Sequence, residues 1–464
     1  MASRVFAVDL GAWSVKLAIA SPGIRGATLL HVVERLVPPG DEPAEERARQ
    51  VLASLVEELR LRDENGYLGV YGDQVFTQVL EFGFKNLRRS ELDKAVGGDL
   101  EGVVPVDLED MVYTFEPLPP VTPVATGPMP PEAGDPAFAG GLPGSMTRGR
   151  GRVAPPAEGM RVLTYAMHRE RAEQLIELAS QCGFSARGVL ACGGAAVRLV
   201  ERTPSLAAAR TQGGAVAVID IGHERTDVVV VAQSKAVFSR SVGRAGKQVT
   251  EAIMRQWNLP WLDAERAKHS DGFVASQAEP PTSDAWARIH QATVAELQPL
   301  ARDLRQTLAA CRARTGFTVS AVLLVGGGSR LRGLSSFMTE QLAIPTWRIG
   351  SDDAAALAGP RIAAEAAQYP IDSAAMTIGM AYDAAGGRPQ FDLRSGSLAV
   401  KVDLSFLRAK ALPLGAALIA VLAFASVSAY ANLYRLRKAE KTLTTRLNAE
   451  SPDISPDRKA MSAD

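Results

Sequence analysis

Apolar positions recur with two different periods through the first 400 residues of the chain. Runs in which consecutive or alternate positions are apolar predict strands, as in FAVDL, VKLAIAS and TLLHVVERLV within residues 1–37. Apolar positions three and four apart predict helices, as over 41–62 and in RERAEQLIELASQCG after His168. Because strands and helices alternate along the chain, the pattern predicts an α/β fold.

Three further segments carry specific local predictions. YLGVYG and FTQVLEF read as a strand pair, and RRSELDKAVGGDLEGVV as a helix with Ser90 at its N-cap. VSAVLLVGGG reads as a buried strand that runs into a glycine-rich turn, after which Ser329 and Arg330 begin a helix. Such a turn at a helix N-terminus suits the phosphates or sugar of a nucleotide.

Residues 117–160 are dense in proline, glycine and alanine and contain hardly any aromatic residue. A segment of this composition buries too little apolar surface to offset its ordering entropy. The sequence therefore predicts a disordered insertion within a domain.

Residues 411–430 are a different kind of apolar segment. They contain no charge over twenty residues, a length that spans about 30 Å as a helix and matches the hydrocarbon core of a bilayer. Residues 431–450 continue with leucines at near-helical spacing and predict an amphipathic or coiled-coil tail. Lysine and arginine are nearly balanced on the two sides, so charge alone leaves the orientation of this predicted membrane helix undecided.

The composition excludes several classes of protein. The chain has 51 basic and 51 acidic residues, so no net field attracts nucleic acid, and we expect no nucleic-acid partner. Its cysteines are odd in number and form no C-x-x-C pair, which favours reduced thiols over a disulfide framework or a zinc site. Asp9 interrupts the first apolar run, so the N-terminus does not read as a signal peptide.

A carboxylate and a glycine end the first predicted strand, in VFAVDLGAWSVKL. One copy of this pattern is consistent with either a plain hairpin turn or a phosphate loop. A second copy, AVAVIDIGHERTDVVVV, lies about 210 residues further on and suggests a duplicated domain. Glycine lets a backbone approach phosphate oxygens, turn N–H groups form an anion nest, and an aspartate suits Mg²⁺ held through water.

The order of two such hairpins and a glycine-rich turn resembles the actin/Hsp70/FtsA ATPase superfamily. LDAERAK resembles the superfamily helix whose Glu and Lys face the ribose and base. The resemblance implies ATP and Mg²⁺ as ligands, with Asp9 and Asp220 holding the metal through water. The nucleotide-binding residues that it implies are Asp9, Gly11, Lys16, Asp220, Gly222, Thr226, Glu265, Lys268, Gly326, Gly327, Gly328 and Ser329.

Finer matches resemble the PilM and GspL branch of pilus-assembly and type II secretion proteins. They are ENGYLGVYGDQVFTQVLEF, the MVYTFEPL segment, and QFDLRSGSLAV shortly before the apolar segment. The resemblance implies a two-lobed actin-like fold followed by a single transmembrane helix. We expect the first lobe over 1–205, the second over 206–400, the membrane helix over 411–430 and a short periplasmic tail over 431–464.

The resemblance also implies a function and partners. The protein would be an inner-membrane assembly platform that couples a cytoplasmic motor ATPase to membrane and periplasmic partners, with ATP as a conformational ligand. Expected partners are that motor, platform proteins of the GspM, PilN and PilO kind, and a second copy through the membrane helix and tail. Since ATP is cytoplasmic, residues 1–410 would lie inside and 431–464 outside.

Two alternatives remain open at this point. Trp13 and Glu224 stand where the ATPases carry smaller or glycine residues, which favours a degenerate scaffold that binds no nucleotide. A slow actin-like ATPase is the other alternative, although no residue can be assigned as the base that activates water. His168, His223, His269 and His290 read as ordinary surface residues.

Overall fold

The computed structural model describes residues 4–23, 26–62, 64–84, 87–104, 106–121, 159–399 and 405–450. The strands within these ranges are β1 Val5–Leu10, β2 Ser14–Ser21, β3 Thr28–Leu36, β4 Asn65–Val70, β5 Phe76–Phe82, β6 Met111–Pro117, β7 Met160–His168, β8 Ser185–Ala191, β9 Ala215–Ile221, β10 Thr226–Ala232, β11 Lys235–Val242, β12 Val319–Val325 and β13 Thr346–Arg348. The α-helices are α1 Ala44–Glu58, α2 Arg89–Glu101, α3 Arg169–Gln181, α4 Cys192–Arg202, α5 Ala207–Thr211, α6 Gly246–Trp257, α7 Trp261–Asp271, α8 Asp284–Thr315, α9 Leu334–Leu342, α10 Ser351–Ile362, α11 Ala375–Ala385 and α12 Ser405–Glu450.

Two five-stranded sheets have the same topology. The first has the order β3-β2-β1-β4-β8 and the second β11-β10-β9-β12-β13. In each sheet the first three strands form an antiparallel meander, the fourth pairs in parallel with the first strand, and the fifth pairs in parallel with the fourth. The duplication inferred from the two Asp-x-Gly patterns is therefore a duplication of a whole sheet.

The two sheets share one hydrophobic core, and the second has another on its far side. Alternate residues of β9 point to opposite faces: Val216 and Val218 join the shared core, while Ala217 and Ile219 join the second. The helices α10 and α11 pack on β1, β2 and β3 of the first sheet. The last helices of the expected second lobe, 206–400, therefore pack on the sheet of the expected first lobe.

The segments YLGVYG and FTQVLEF do not pair with each other, and the predicted strand pair was wrong. β4 lies between β1 and β8 in the first sheet, whereas β5 pairs with β7 in a separate three-stranded sheet of order β5-β7-β6. The connection between them begins with Tyr71, Gly72 and Asp73, which have the composition of a hairpin turn, but it carries the chain from one sheet to the other.

Two helix starts also differ from the prediction. The helix α2 has Arg88 at its N-cap, where its N–H donates to the Glu91 carboxylate at 3.1 Å, so Ser90 lies within the first turn. After β12 the chain forms a short 3-10 turn over Gly327–Arg330, and α9 begins only at Leu334. The glycine-rich turn therefore does not lie at the N-terminus of an α-helix.

The chain divides into two compact units, Met1–Ala399 and Val400–Asp464. Most of the predicted insertion, 122–158, lies outside the described residues. Within the first unit the three cysteines, Cys182, Cys192 and Cys311, are free and buried. In the second unit α12 is continuous through the predicted membrane segment and most of the tail, and Ile419–Arg446 is long and apolar enough to cross a membrane.

Candidate functional site

A cleft of about 490 Å³ opens where the β1–β2 turn, the β9–β10 turn, α7 and the glycine-rich turn meet. The structure brings most of the implied nucleotide-binding residues to its wall. Those that line it are Asp9, Gly11, Lys16, Asp220, Gly222, Glu265, Lys268, Gly327 and Gly328. Thr226, Gly326 and Ser329 are not among the lining residues.

The first hairpin carries its own ion pair. Its turn is closed by the Gly11 N–H, which donates to the Ser14 carbonyl at 3.1 Å. Asp9 and Lys16 are cross-strand neighbours, and Lys16 Nζ lies 3.1 Å from Asp9 Oδ2. Burial alone would lower the pKa of Lys16, but the carboxylates of Asp9 and Asp220 outweigh that effect and raise it above its usual value.

The second hairpin has the same turn but no such pair. The Gly222 N–H donates to the Arg225 carbonyl at 3.0 Å, as in the first turn. The cross-strand neighbour of Asp220 is Asp227, so two carboxylates stand where the first hairpin has a carboxylate and an ammonium. Desolvation and the Asp227 charge raise the pKa of Asp220 to about 7, and the Lys16 charge offsets only part of this rise.

Asp227 is held by the protein itself. Its carboxylate accepts from the Gly72 N–H at 3.1 Å and from Arg225 Nε at 3.2 Å. Arg225 also pairs with Asp73 at 3.1 Å, so both interactions join the second hairpin to the loop after β4. Asp220, by contrast, has no ion pair among the described residues.

The glycine-rich turn packs directly on the second hairpin. Gly326 has φ +84°, and a Cβ there would collide with the Asp220 side chain and the Ile221 carbonyl. A Cβ on Gly328 would collide with Ile221, whereas Gly327 faces open space. Two of the three glycines are therefore required for backbone packing, and Gly327 is the one with room for a ligand.

Two hydroxyl groups of the implied set are already used by the backbone. Thr226 is fully buried and donates to the Arg244 carbonyl at 2.6 Å. Ser329 is buried and donates to the Gly326 carbonyl at 2.7 Å. Neither hydroxyl is directed to a ligand in this structure.

Glu265 and Lys268 lie together on α7 in a closed polar network. Lys268 Nζ donates to Glu265 Oε1 at 2.7 Å, to Thr250 Oγ1 at 2.8 Å and to the Gly246 carbonyl at 3.3 Å, which uses all three of its N–H groups. Burial alone would raise the pKa of Glu265, but hydrogen bonds from His269 and Lys268 and the Lys268 charge lower it to about 2. This pair shapes the wall of the cleft, and it has no free donor for a ribose.

An aromatic stack crosses the cleft, and sequence reasoning missed it. The Trp13 ring, in the first hairpin turn, stacks on His223 in the second turn with centroids 5.3 Å apart, and on His269 of α7 at 6.4 Å. His223 therefore lines the cleft and is not an ordinary surface residue. His290 also differs from the prediction, because its Nδ1 accepts from the Ala275 N–H at 2.9 Å.

The residues present are compatible with a hydrated magnesium ion. None of the described residues forms a cluster of three or more metal-ligating side chains, which disfavours a fully protein-coordinated metal. Asp220 is a carboxylate at the cleft that forms no ion pair among the described residues, and a bound cation would lower its raised pKa. Mg²⁺ retains several waters and needs only one or two carboxylates, so this site suits it.

The fold and the paired hairpins define an actin-like ATPase fold. Residues 151–384 match the family model described as type IV pilus assembly protein PilM. The chain belongs to this family.

Three solved structures were compared with this chain, and the first of them agrees with this fold. The "PilM-PilN type IV pilus biogenesis complex" has 24% identity and a TM-score of 0.60, covering 81% of this chain and 97% of that chain. Ethanolamine utilization protein EutJ from Carboxydothermus hydrogenoformans has 12% identity and a TM-score of 0.41, covering 82% and 89%. MreB5 of Spiroplasma citri bound to ADP also has 12% identity and a TM-score of 0.41, covering 81% and 94%.

Proposed function

We propose that this protein is an inner-membrane platform component of a type IV pilus or type II secretion machine, and that its actin-like domain binds MgATP. Membership of the PilM family supports the first part. The observation that carries the second is the convergence of two Asp-x-Gly hairpins and Lys16 on one cleft. Bound nucleotide acts as a conformational ligand. It shifts the equilibrium between two conformations of the actin-like domain only by the difference in its affinity for them.

The roles of the residues follow from their contacts. Lys16 and the two hairpin turns face the phosphates, and Asp9 and Asp220 hold Mg²⁺ through water. Gly327 provides the open part of the adenosine side. Glu265 and Lys268 define the shape of that side without contacting the ligand, because their hydrogen bonds are made within the protein.

The second unit supplies the attachment to the membrane. We place residues 1–410 in the cytoplasm and 431–464 in the periplasm, with α12 crossing between them. The proposed partners are a cytoplasmic secretion or pilus motor ATPase and platform proteins of the PilN, PilO and GspM kind. A second copy would associate through α12, whose exposed leucines include Leu433, Leu436 and Leu443.

The aromatic stack favours a second candidate, an actin-like scaffold that binds no nucleotide. The stack of Trp13 on His223 joins the tips of the two hairpins across the cleft. All five lysine and arginine residues that line the cleft are paired with carboxylates inside the protein, namely Lys16, Arg225, Arg266, Lys268 and Arg330. In this alternative the glycines serve only the turns and the packing of β12 on β9.

A binding experiment separates the two candidates. The full-length protein in detergent would be titrated with a fluorescent ATP analogue and Mg²⁺, beside Asp220→Asn and the control Asp99→Asn. Asp99 lies on α2, is exposed and does not line the cleft, so its substitution should leave binding unchanged. Binding that only Asp220→Asn weakens supports the nucleotide site, and no binding by folded wild-type protein supports the scaffold.

A further inference from the structure

The loop after β4 places a tyrosine hydroxyl against the carboxylates of the cleft. Tyr71 is 3% exposed and lines the cleft. Its Oη has no hydrogen-bond partner anywhere in the described ranges. The Arg225 guanidinium lies 4.8 Å from the centroid of its ring, which fixes the ring from one face.

An unpartnered buried hydroxyl needs an explanation, since it loses its hydrogen bonds to water and gains none in the protein. The charges that Tyr71 experiences are mainly acidic, from Asp9, Asp220 and Asp227. A phosphate oxygen would be repelled from such a position unless a cation lay between. A water bound to a cation is attracted there and can donate to the phenol oxygen.

We propose that the Tyr71 hydroxyl accepts a hydrogen bond from the hydration shell of the Mg²⁺ that Asp9 and Asp220 hold. Tyr71 is then a positioning residue that connects the metal to the loop after β4. The same loop is already joined to the second hairpin by Gly72 and Asp73. This inference rests on the proposed nucleotide function and adds a specific metal-dependent contact to it.

The chain offers a matched control. Tyr165 has a second buried hydroxyl that makes no hydrogen bond among the described residues, although the side chains of Cys192 and Ser239 lie close to it. Its ring packs on Phe391 with centroids 4.8 Å apart, and Tyr165 does not line the cleft. Tyr71→Phe and Tyr165→Phe each remove one unpartnered oxygen and keep the ring. A purely structural role predicts the same behaviour for both variants.

The test compares nucleotide affinity with and without the metal. Full-length wild type, Tyr71→Phe and Tyr165→Phe would be titrated with the fluorescent ATP analogue in Mg²⁺ and again in EDTA. In Mg²⁺ we expect Tyr71→Phe to bind the analogue about tenfold more weakly than wild type, a loss equivalent to one hydrogen bond to a charged ligand. In EDTA we expect the variant and wild type to have the same affinity. Tyr165→Phe should match wild type in both conditions.

Thermal unfolding without ligand provides a second readout. Tyr71→Phe should be at least as stable as wild type, because it removes an unsatisfied group and no contact. Equal affinity of Tyr71→Phe and wild type in Mg²⁺ would overturn the inference while the nucleotide site stands. An equal loss in Mg²⁺ and EDTA would also overturn it, and failure of the wild type itself to bind would overturn both proposals.

Discussion

The two Asp-x-Gly hairpins have the same backbone and opposite electrostatics. In each, a glycine N–H closes a four-residue turn, and the aspartate lies two residues before that glycine. Across the strands Asp9 meets Lys16, whereas Asp220 meets Asp227. One cross-strand position therefore decides whether a hairpin supplies its own counter-charge or leaves a carboxylate available for a ligand.

This electrostatic difference distinguishes the two hairpins in their need for a bound cation. The first hairpin needs no ligand to neutralise its aspartate, because Asp9 is paired with Lys16 at 3.1 Å. The second holds Asp220 at a raised pKa, which is unfavourable until a cation binds. Binding sites commonly retain such local instability, since the ligand relieves it.

The largest expected effect comes from removing the counter-charge of the first hairpin. Lys16→Met leaves Asp9 buried without its ion-pair partner and removes the Lys16 charge that offsets part of the pKa rise of Asp220, so it should destabilise the apo protein by about 3 kcal/mol. Guanidinium unfolding of the full chain in detergent would measure this as a lower midpoint with an unchanged slope. A midpoint equal to that of wild type would show that the pair contributes little.

The raised pKa of Asp220 predicts a pH dependence with a defined sign. Folded Asp220 binds a proton below about pH 7, whereas the unfolded group does so only below about 3.9, so folded protein holds more protons between these values. The full shift corresponds to about 4 kcal/mol, and solvent at the partly exposed Asp220 screens part of it. Stability of the apo protein should therefore fall by about 2 kcal/mol as pH rises through this window. Unfolding midpoints measured across the window would be flatter for Asp220→Asn, and identical profiles would contradict the assignment.

Replacing each of the two equivalent aspartates by asparagine should change the stability of the protein in opposite directions. At pH 8, Asp9→Asn should destabilise by about 1 kcal/mol, because Lys16 loses its closest partner but keeps Asp220. Asp220→Asn should stabilise by about 1 kcal/mol, since it removes one of two adjacent carboxylates. Thermal unfolding of both variants gives the comparison, and shifts in the same direction would show that the hairpins are not electrostatically distinct.

The smallest effects are expected at the turn tips, where Trp13 and Glu224 occupy equivalent positions. Trp13→Ala removes the stack on His223 and should cost about 1 kcal/mol. Glu224→Ala removes a half-exposed side chain 4.0 Å from Lys247, and should change stability by less than about 0.5 kcal/mol. The two unfolding midpoints would be compared directly, and a larger loss for Glu224→Ala would reverse this ranking.

Local signals in the sequence were enough for the paired hairpins. Alternating apolar residues predicted β1, β2, β9 and β10, and the Asp-x-Gly patterns predicted the turns between them. The pairing of strands that are distant in sequence cannot be read from local patterns, and for this reason the prediction that β4 pairs with β5 was wrong. Their burial does distinguish them: Tyr67 and Leu68 are consecutive buried residues of a central strand, whereas β5 has exposed Phe76 and Glu81.

Side-chain roles were harder to predict than positions. Thr226 and Ser329 have the residue types of a phosphate site, but their hydroxyl groups donate hydrogen bonds to backbone carbonyls close to them in the fold. The stack of Trp13 on His223 joins residues from two halves of the chain. Tyr71 belongs to no recognisable motif, and only its position beside the carboxylates identifies it as a residue of the cleft.

The shared core beneath both sheets has a thermodynamic consequence. Residues of β1, β9, β12 and α11 belong to one continuous hydrophobic cluster. Neither sheet can lose its packing without exposing the other, so the first unit should melt in a single calorimetric transition. Ligands at the cleft would then protect amide hydrogens on the far edges of both sheets, and hydrogen exchange would detect their binding well beyond the residues that they touch.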